Sequence, residues 1–276
     1  MKVVRTVAEF RSVRPTVSTV GFVPTMGSFH DGHLQLMRFA KEANDVSVVS
    51  IFVNPTQFGP REDFDRYPRD EERDLQLALE ANVDYVFAPT VDEMYAEQGA
   101  SVRVGPVADE WEGAMRPGHF DGVATVVLKL LEIVRPTTAY FGLKDLQQCA
   151  VVKTLVRSFN LDTKLGFVET VREPTGLARS SRNDFLSVEQ RTHASVLYKF
   201  LNQCADHIKI DSNAVSSSLE KCKDSLVQAG FQPDYVALVD PETMASLQTL
   251  APCARIIAAV KLAGIRLIDN VAVEKA

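Results

Sequence analysis

Residues 24–33 read Pro24-Thr25-Met26-Gly27-Ser28-Phe29-His30-Asp31-Gly32-His33 and separate two stretches of regular pattern. The apolar run at residues 19–23 predicts a strand that Pro24 ends, and apolar residues recur at helical spacing from residue 34. At a strand-to-helix turn, backbone N–H groups and the helix dipole favour a phosphate. The two imidazoles, separated by Asp-Gly, can both reach one such phosphate, and the glycines permit a close backbone approach. The stretch predicts an anion site, although either histidine taken alone is more often a satisfied polar residue.

The alternation of strands and helices continues along the chain. Further strands are predicted at residues 46–53, 85–87, 139–141 and 163–168, and helices at residues 70–81, 123–134 and 146–160. Strands that alternate with helices favour a parallel sheet with helices on both faces. The pattern predicts a Rossmann-like, doubly wound α/β fold, in which ligands bind at the carboxyl ends of the strands.

The pattern changes after about residue 171. Helices are predicted at residues 188–207 and 212–229, and short strands at residues 235–239, 256–260 and 265–268, the last two joined by a hairpin at residues 262–264. We therefore predict two domains, a Rossmann-like domain at residues 1–170 and a smaller α+β domain at residues 171–276.

Composition excludes several functions. The chain has 276 residues and a formal net charge of −6, and the absence of a long basic run argues against binding to nucleic acid. Its four cysteines form no CxxC pair and no zinc-ligand spacing, so no protein-bound metal is expected. No stretch has the length of a membrane span, no signal peptide opens the chain, and the cytoplasm is the expected location.

Three other stretches combine polar residues with turn chemistry at predicted strand or helix ends. The amides of Asn54-Pro55-Thr56-Gln57-Phe58 could bind an uncharged polar substrate or form an ordinary turn. The loop Arg116-Pro117-Gly118-His119-Phe120-Asp121-Gly122 could bind an anion or connect two elements. In Phe141-Gly142-Leu143-Lys144-Asp145-Leu146-Gln147-Gln148, Lys144 can place a charge on a phosphate. The structural alternatives are that Asp145 is a helix N-cap and that Gln147 and Gln148 are exposed helix residues.

The stretch Arg179-Ser180-Ser181-Arg182-Asn183 places two hydroxyls between two guanidinium groups. That pattern suits a mobile loop that closes over pyrophosphate, and the turn-rich residues 172–176 resemble a hinge. The alternative is an N-cap for the helix that begins near residue 188, although Ser187 already suits that role.

Taken together and in this order, PTMG…HDGH, IFVNPTQF, RPGHFDG, FGLKD with QQ, and REPTGLARSSRN resemble the pantothenate synthetases (pantoate–β-alanine ligases), members of the HxGH nucleotidyl-transfer superfamily. The resemblance implies that ATP and pantoate form pantoyl adenylate and that β-alanine then gives pantothenate and AMP. It implies His33 as proton donor, with His30 and Lys144 also catalytic. It implies pantoate binding by Gln57 and Gln148, with Gln57 also at β-alanine. It implies an ATP site of Met26, Gly27, Ser28, Phe29, His30, Asp31, Gly32, His33, Gly142, Leu143, Lys144, Asp145, Val171, Arg179, Ser180, Ser181 and Arg182.

The resemblance further implies Mg²⁺ with the triphosphate, a homodimer, and neither nucleic-acid nor membrane partners. An apolar edge strand at residues 101–104 could contribute to the dimer. Leu143 and Arg179 depart from the residues usual in relatives. Two other functions are open: a nucleotidylyltransferase that keeps the nucleotidyl product, and a nucleotide-binding regulatory protein without catalysis. Charging of tRNA is disfavoured by the acidic balance.

Overall fold

A computed structural model of the chain describes residues 1–16, 18–60, 62, 64–96 and 99–273. The chain divides into two compact units. The first comprises Met1–Leu143 and Val151–Glu169, and the second comprises Lys144–Ala150 and Thr170–Ala276. In the described residues, no helix is long and apolar enough to cross a bilayer.

The first unit is built on a six-stranded sheet in which every described pairing is parallel. Its strands are β1 (Lys2–Val4), β2 (Val20–Thr25), β3 (Val46–Ile51), β4 (Tyr85–Phe87), β5 (Thr138–Gly142) and β6 (Lys164–Val168), and their order across the sheet is β1-β4-β3-β2-β5-β6. From β2 the chain moves to β3 on one side and later to β5 on the other. The switch point therefore lies between β2 and β5, and crevices that bind ligands open at such points. The predicted α/β fold is confirmed.

Helices follow the strands of this sheet. They are α1 (Val7–Val13), α2 (Asp31–Ala43), α3 (Glu71–Glu80), α4 (Val91–Tyr95), α5 (Glu112–Met115), α6 (His119–Val134) and α7 (Leu146–Ser158), and residues of α7 belong to both units. One core cluster packs Met37 of α2 and Ala78 of α3 against Val23, Val49 and Val86 of the three central strands. This packing fixes where the polar turn after β2 begins.

Strand β2 differs from its prediction because it continues through Pro24 to Thr25. Pro24 pairs with Ser50 of β3, but the pairing of β2 with β5 ends at Phe22. Proline has no N–H to donate, so a strand tolerates it at a position where one of its two edges is not hydrogen-bonded to a neighbouring strand.

The segment at residues 101–104, predicted as an edge strand, has no regular structure. The N–H of Val102 donates to Thr125 Oγ1 at 2.9 Å, and that of Val104 donates to Asp121 Oδ1 at 2.7 Å. Side chains of α6 therefore take the hydrogen bonds that a neighbouring strand would have accepted, and the strand prediction is wrong.

The second unit contains α8 (Val188–Ala194), α9 (Val196–Ile210), α10 (Val215–Gln228) and an antiparallel sheet of β7 (Gln232–Val239), β8 (Ala254–Leu262) and β9 (Ile265–Val273). Positive φ at Ala263 (51°) and Gly264 (81°) gives the two-residue hairpin turn that the sequence predicted. The single helix predicted at residues 188–207 is two helices. They meet at Ser195, whose N–H and hydroxyl both donate to Thr192 O and tighten the turn.

Candidate active site

The turn after β2 is held in an unusual backbone conformation by a buried carboxylate. Gly27 and Ser28 have φ of 78° and 53°, in the left-handed region. The N–H groups of Ser28 and Phe29 each donate to one oxygen of Asp74 at 2.7 Å. A Cβ at position 27 would lie 2.7 Å from Asp74 Oδ2, so only glycine fits there. These N–H groups therefore already have acceptors within the protein, unlike those of the anion-binding turn that the sequence suggested.

Asp74 lies on α3, and sequence reasoning missed it. The residue is 1% exposed. Burial raises the pKa of its carboxyl, against the lowering by the two N–H groups. One signal was available in the sequence: Asp74 precedes Ala78 by four residues and so lies on the buried face of its helix.

His30 and His33 form a reciprocal cap at the start of α2. Nδ1 of His30 accepts from the N–H of Gly32 at 3.1 Å, and Nδ1 of His33 accepts from the N–H of His30 at 3.3 Å. The two ring centroids lie 4.1 Å apart. In a neutral imidazole the nitrogen that accepts carries no proton, so both rings carry their proton on Nε2. The cap therefore fixes the tautomer in which each ring can donate from Nε2.

The turn after β3 orients the amide of Gln57, which is 7% exposed. Tyr95 donates its hydroxyl to Asn54 Oδ1 at 2.7 Å, and Asn54 Nδ2 donates to Gln57 Oε1 at 3.1 Å. Gln57 Nε2 lies 3.0 Å from Met26 Sδ, a weak acceptor. The structure thus brings together two predicted site residues, Met26 and Gln57. The amide NH₂ group of Gln57 faces the turn after β2.

The loop of residues 116–122 contacts the backbone carbonyl of Gln57. His119 Nδ1 lies 2.7 Å from Gln57 O, and Arg116 Nη1 lies 3.0 Å from His119 Nε2. Arginine only donates, so Nε2 accepts and Nδ1–H donates to the carbonyl. Arg116 also forms two bonds with Glu62, at 2.8 and 2.6 Å. Of the two readings of this loop, the contacts favour a structural role, since its guanidinium is already paired.

This arrangement makes His119 a determinant of acid stability. Burial, and then the charge of Arg116, lower the pKa of His119 from 6.5 to about 4. Between these values the unfolded chain binds a proton that the folded protein does not, so stability falls as the pH falls. We expect the free energy of unfolding to drop by roughly 3 kcal/mol from this group between pH 6.5 and pH 4, at ~1.4 kcal/mol per pKa unit.

Urea unfolding of the wild type and of His119→Asn at pH 7 and pH 4.5 measures this contribution. Asparagine retains one donor and one acceptor but does not titrate, so the variant is expected to lose less stability on acidification. An equal pH dependence in both proteins would contradict the assignment. The remaining histidines are common to both proteins and cancel.

A cleft of about 230 Å³ opens beside the turn after β2. Its apolar wall is formed by Met26, Phe64 and residues 51–53, and its polar lining comes from Arg69, Asp70, Glu71, Asp74 and Thr90. Of the predicted site residues, Met26 lines this concave surface, which lies at the carboxyl ends of β2 and β3 and is also lined by Asp74, the acceptor of the turn after β2.

The site residues that follow β5 in the chain belong mostly to the second unit. Gly142 ends β5, and Leu143–Asp145 form a single 3₁₀ turn before α7. Lys144 Nζ lies 3.6 Å from Asp145 Oδ1, a long and partly exposed contact that contributes little to stability. Gln147 is buried, and Gln148 is half-buried on the first turn of α7 rather than exposed.

Residues 172–183, which contain the predicted hinge and the predicted loop Arg179–Asn183, form a hairpin followed by a turn. Arg179 N donates to Val171 O at 2.9 Å, and Ser180 Oγ accepts from the N–H of Arg182 at 3.3 Å, which starts the 3₁₀ turn Ser181–Phe185. Glu173, bound to Arg191 at 2.6 Å, also accepts from Asn183 Nδ2 at 3.1 Å. Ser187 caps α8, as the sequence suggested, so Ser180 and Ser181 do not cap that helix.

The fold and the first-unit site define a class of protein. It is a Rossmann-like α/β protein whose sheet presents two Nε2–H imidazoles, an oriented neutral amide and an adjoining cleft at its ligand-binding edge.

Comparisons with known proteins give the family. The profile described as "Pantoate-beta-alanine ligase" matches residues 2–272. A pantothenate synthetase of Chloroflexus aurantiacus is 49% identical over 273 residues, which cover 98% of this chain and 97% of the relative. The crystal structure of the enzyme from Thermus thermophilus is similar with a TM-score of 0.95 and 48% identity, covering 99% of this chain and 100% of that one. A pantoate-beta-alanine ligase from Francisella tularensis, crystallised with "Beta-gamma ATP and Beta-alanine", has a TM-score of 0.84 and 35% identity, with coverage of 100% and 99%. The chain belongs to the pantoate-beta-alanine ligase family.

Proposed function

We propose that this protein is the ligase that condenses pantoate with β-alanine at the expense of ATP, with AMP and pyrophosphate as the other products. The match to the family over residues 2–272 carries the proposal. The site supports it, because acyl activation by ATP needs fixed donors and alignment more than a covalent nucleophile. Two histidines and an oriented amide meet that need in the first unit.

The proposed reaction has two steps. A carboxylate oxygen of pantoate attacks the α-phosphorus of ATP, and the bond to pyrophosphate breaks to give pantoyl adenylate. The amine of β-alanine then attacks the acyl carbon, the bond to AMP breaks, and the amine proton leaves. The charge that develops on phosphate oxygens in the first step is what the donors stabilise.

Roles follow from the contacts and the family pattern. His33 and His30 donate from Nε2 to phosphate oxygens, because their Nδ1 atoms accept backbone N–H groups. Lys144 supplies a permanent charge. Gln57 donates its NH₂ group to pantoate and β-alanine, and Gln148 binds pantoate. The other groups proposed for the ATP site are Met26–Phe29, Asp31, Gly32, Gly142, Leu143, Asp145, Val171 and Arg179–Arg182.

Magnesium is proposed to arrive with the nucleotide. The described residues contain no group of three or more histidine, cysteine or acidic side chains that could hold an ion alone. The triphosphate itself offers oxygens of the kind that Mg²⁺ prefers, and nucleotide sites commonly use few protein ligands. Residues of this chain then bind the complex through its phosphates and sugar.

Pyrophosphate release in the absence of β-alanine tests the proposal. With ATP and pantoate alone, we expect a burst of pyrophosphate equal to the concentration of sites, followed by AMP release once β-alanine is added. Release that requires β-alanine would contradict a free-standing adenylate. Release of pyrophosphate with retention of AMP after β-alanine addition would favour a nucleotidylyltransferase, and no release would favour a binding protein.

Four further sequence predictions stay parts of this proposal. They are a binding domain at residues 1–170 and a smaller domain at residues 171–276, mobility of residues 173–183 on ATP binding, a homodimer, and a cytoplasmic location. Glu173 contacts Arg191 and Asn183. If residues 173–183 move on ATP binding, the movement either breaks these contacts or carries Arg191 along with the loop.

A further inference from the structure

Strand β9 contributes two adjacent polar side chains that neither the sequence motifs nor the proposed roles include. Asp269 and Asn270 are 4% and 2% exposed. Their backbones pair with Ala258 and Ile257 of β8, so the strand needs neither side chain to form. Buried polar groups are costly unless they are bonded, so their partners indicate what the two side chains do.

Asn270 contacts the turn that contains Lys144. Its Nδ2 donates to Lys144 O at 3.1 Å, and its Oδ1 accepts from Arg255 Nε at 2.8 Å. The bond from Arg255 fixes which end of the amide is the acceptor, and so aims the NH₂ group at the carbonyl of Lys144. A residue 126 positions away in the chain thus binds the backbone of the proposed catalytic lysine.

Asp269 contacts the base of the hairpin that leads to Arg179. It forms a two-bond pair with Arg172, at 2.7 Å to Nη1 and 2.8 Å to Nη2. The guanidinium also donates to Gly176 O at 3.1 Å and lies 3.6 Å over the ring of Tyr198. Because Arg172 is bridged to Ala178 across the hairpin, Asp269 fixes the segment from which Arg179–Arg182 extend.

The two contacts form one network. Asn270 N donates to Asp269 Oδ1 at 2.8 Å, and Arg172 Nη2 donates to Asn270 O at 3.3 Å. A polar network whose members are bonded is rigid, and its geometry is transmitted to whatever it binds. The same two residues of β9 therefore fix both the Lys144 turn and the base of the Arg179–Arg182 segment.

We propose that Asp269 and Asn270 are positioning residues for adenylate formation. This inference rests on the proposed function, in which Lys144 and Arg179–Arg182 stabilise charge on phosphates. Asn270 holds Lys144 at its working position, and Asp269 does the same for the loop through Arg172. In this role neither side chain touches substrate. Misplacement of a charged group by about 1 Å can lower a rate about 100-fold, so loss of the anchor affects turnover before it affects folding.

The variants Asn270→Asp and Asn270→Ser test the hydrogen bond from Asn270 Nδ2 to Lys144 O, which we call the anchor. Aspartate retains the oxygen for Arg255 and removes the donor to Lys144 O, and serine removes that donor without adding charge. Asn202→Asp is the matched control in the same unit, because Asn202 Nδ2 donates to the carbonyl of Tyr198 at 2.7 Å. We expect both Asn270 variants to lower the rate of pantoate-dependent pyrophosphate release about 10- to 100-fold, with a small change in the KM for pantoate. The control should retain its rate.

Combination with Lys144→Ala shows whether Asn270 acts through the lysine. In that background, Asn270→Asp is expected to cause no further loss, since residues that act through one group are not additive. Normal rates in both folded Asn270 variants, or a full additional loss on top of Lys144→Ala, would overturn the proposal. Failure of both variants to fold would make the pair structural and overturn it as well.

Hydrogen exchange separates this inference from the proposed function. Faster exchange at residues 143–148 in Asn270→Ser than in the wild type is expected whatever the substrate, and unchanged exchange there would overturn the anchor. Absence of pantoate-dependent pyrophosphate release from the wild type would instead overturn the ligase proposal.

Discussion

Replacing Lys144 or His33 is expected to lower the rate of adenylate formation by about 10²–10³ while the fold survives. As pantoate attacks, negative charge grows on the α-phosphate oxygens and on the departing pyrophosphate. Lys144 offers a permanent charge from its turn, and the cap at the start of α2 leaves His33 with its proton on Nε2. Because this charge exists mainly in the transition state, we expect the loss in kcat rather than in the KM for pantoate.

Rapid-quench measurement of pantoyl adenylate checks this expectation with Lys144→Ala and His33→Asn. Asparagine can still accept the N–H of His30, so it separates the Nε2 donor from the helix cap, whose loss alone costs about 1 kcal/mol of stability. Lys223→Ala and His207→Ala, at exposed positions on α10 and α9, are matched controls. A near-normal rate in either folded site variant would remove that residue from the mechanism.

Replacing Asp74 with asparagine is expected to lower the adenylation rate about 100-fold with a much smaller change in stability. The amide can accept only one of the two N–H groups of Ser28 and Phe29, and its NH₂ group then faces the other. The left-handed backbone at Gly27 and Ser28 loses the acceptor that holds it, so Met26 and the histidines beyond it shift.

Two effects oppose each other in the stability of this variant. Loss of charge-assisted bonds costs about 1.5–3 kcal/mol. However, the raised pKa of Asp74 shows that burial penalises its charge, and the neutral amide removes that penalty. We therefore expect the thermal midpoint to fall less than the bonds alone imply. Glu72→Gln, which removes an exposed carboxylate from the same helix, is the control for charge. A full rate in Asp74→Asn would show that the turn does not need its anchor.

The parts of the fold that the sequence predicted are those that depend on local pattern. Apolar runs marked the central strands, helical spacing marked α2 and α3, and an alanine–glycine turn marked the hairpin of β8 and β9. The edge strand β1 and the short helix α1 were not predicted, because residues 1–14 mix charged and apolar side chains and contain no apolar run. The edge strand predicted at residues 101–104 was wrong because its N–H groups bind side chains of α6.

The site was predictable where it consists of turns after strands and not where it depends on distant partners. The histidine turn and Gln57 follow β2 and β3 directly. Asp74 reaches its partners from 45 and 46 residues away, and Asp269 reaches Arg172 across 97 residues. A single sequence contains no local signal for such pairs. The sequence therefore predicted side chains for the proposed chemistry but not the residues that hold those side chains in place.

The loop of residues 116–122 has a consequence for how far such sequences can diverge. A Cβ at Gly122 would lie 2.3 Å from Thr56 O, so two backbones touch at this point and no larger residue fits without moving the turn after β3. His119 and Arg116 are likewise occupied by a carbonyl and a carboxylate. Selection for packing alone would preserve residues 116–122 in a related protein that had lost its catalytic activity. In surveys of genomes, we therefore expect this stretch to identify the architecture, and we expect the imidazoles proposed to bind phosphate to be the better marker of a working enzyme.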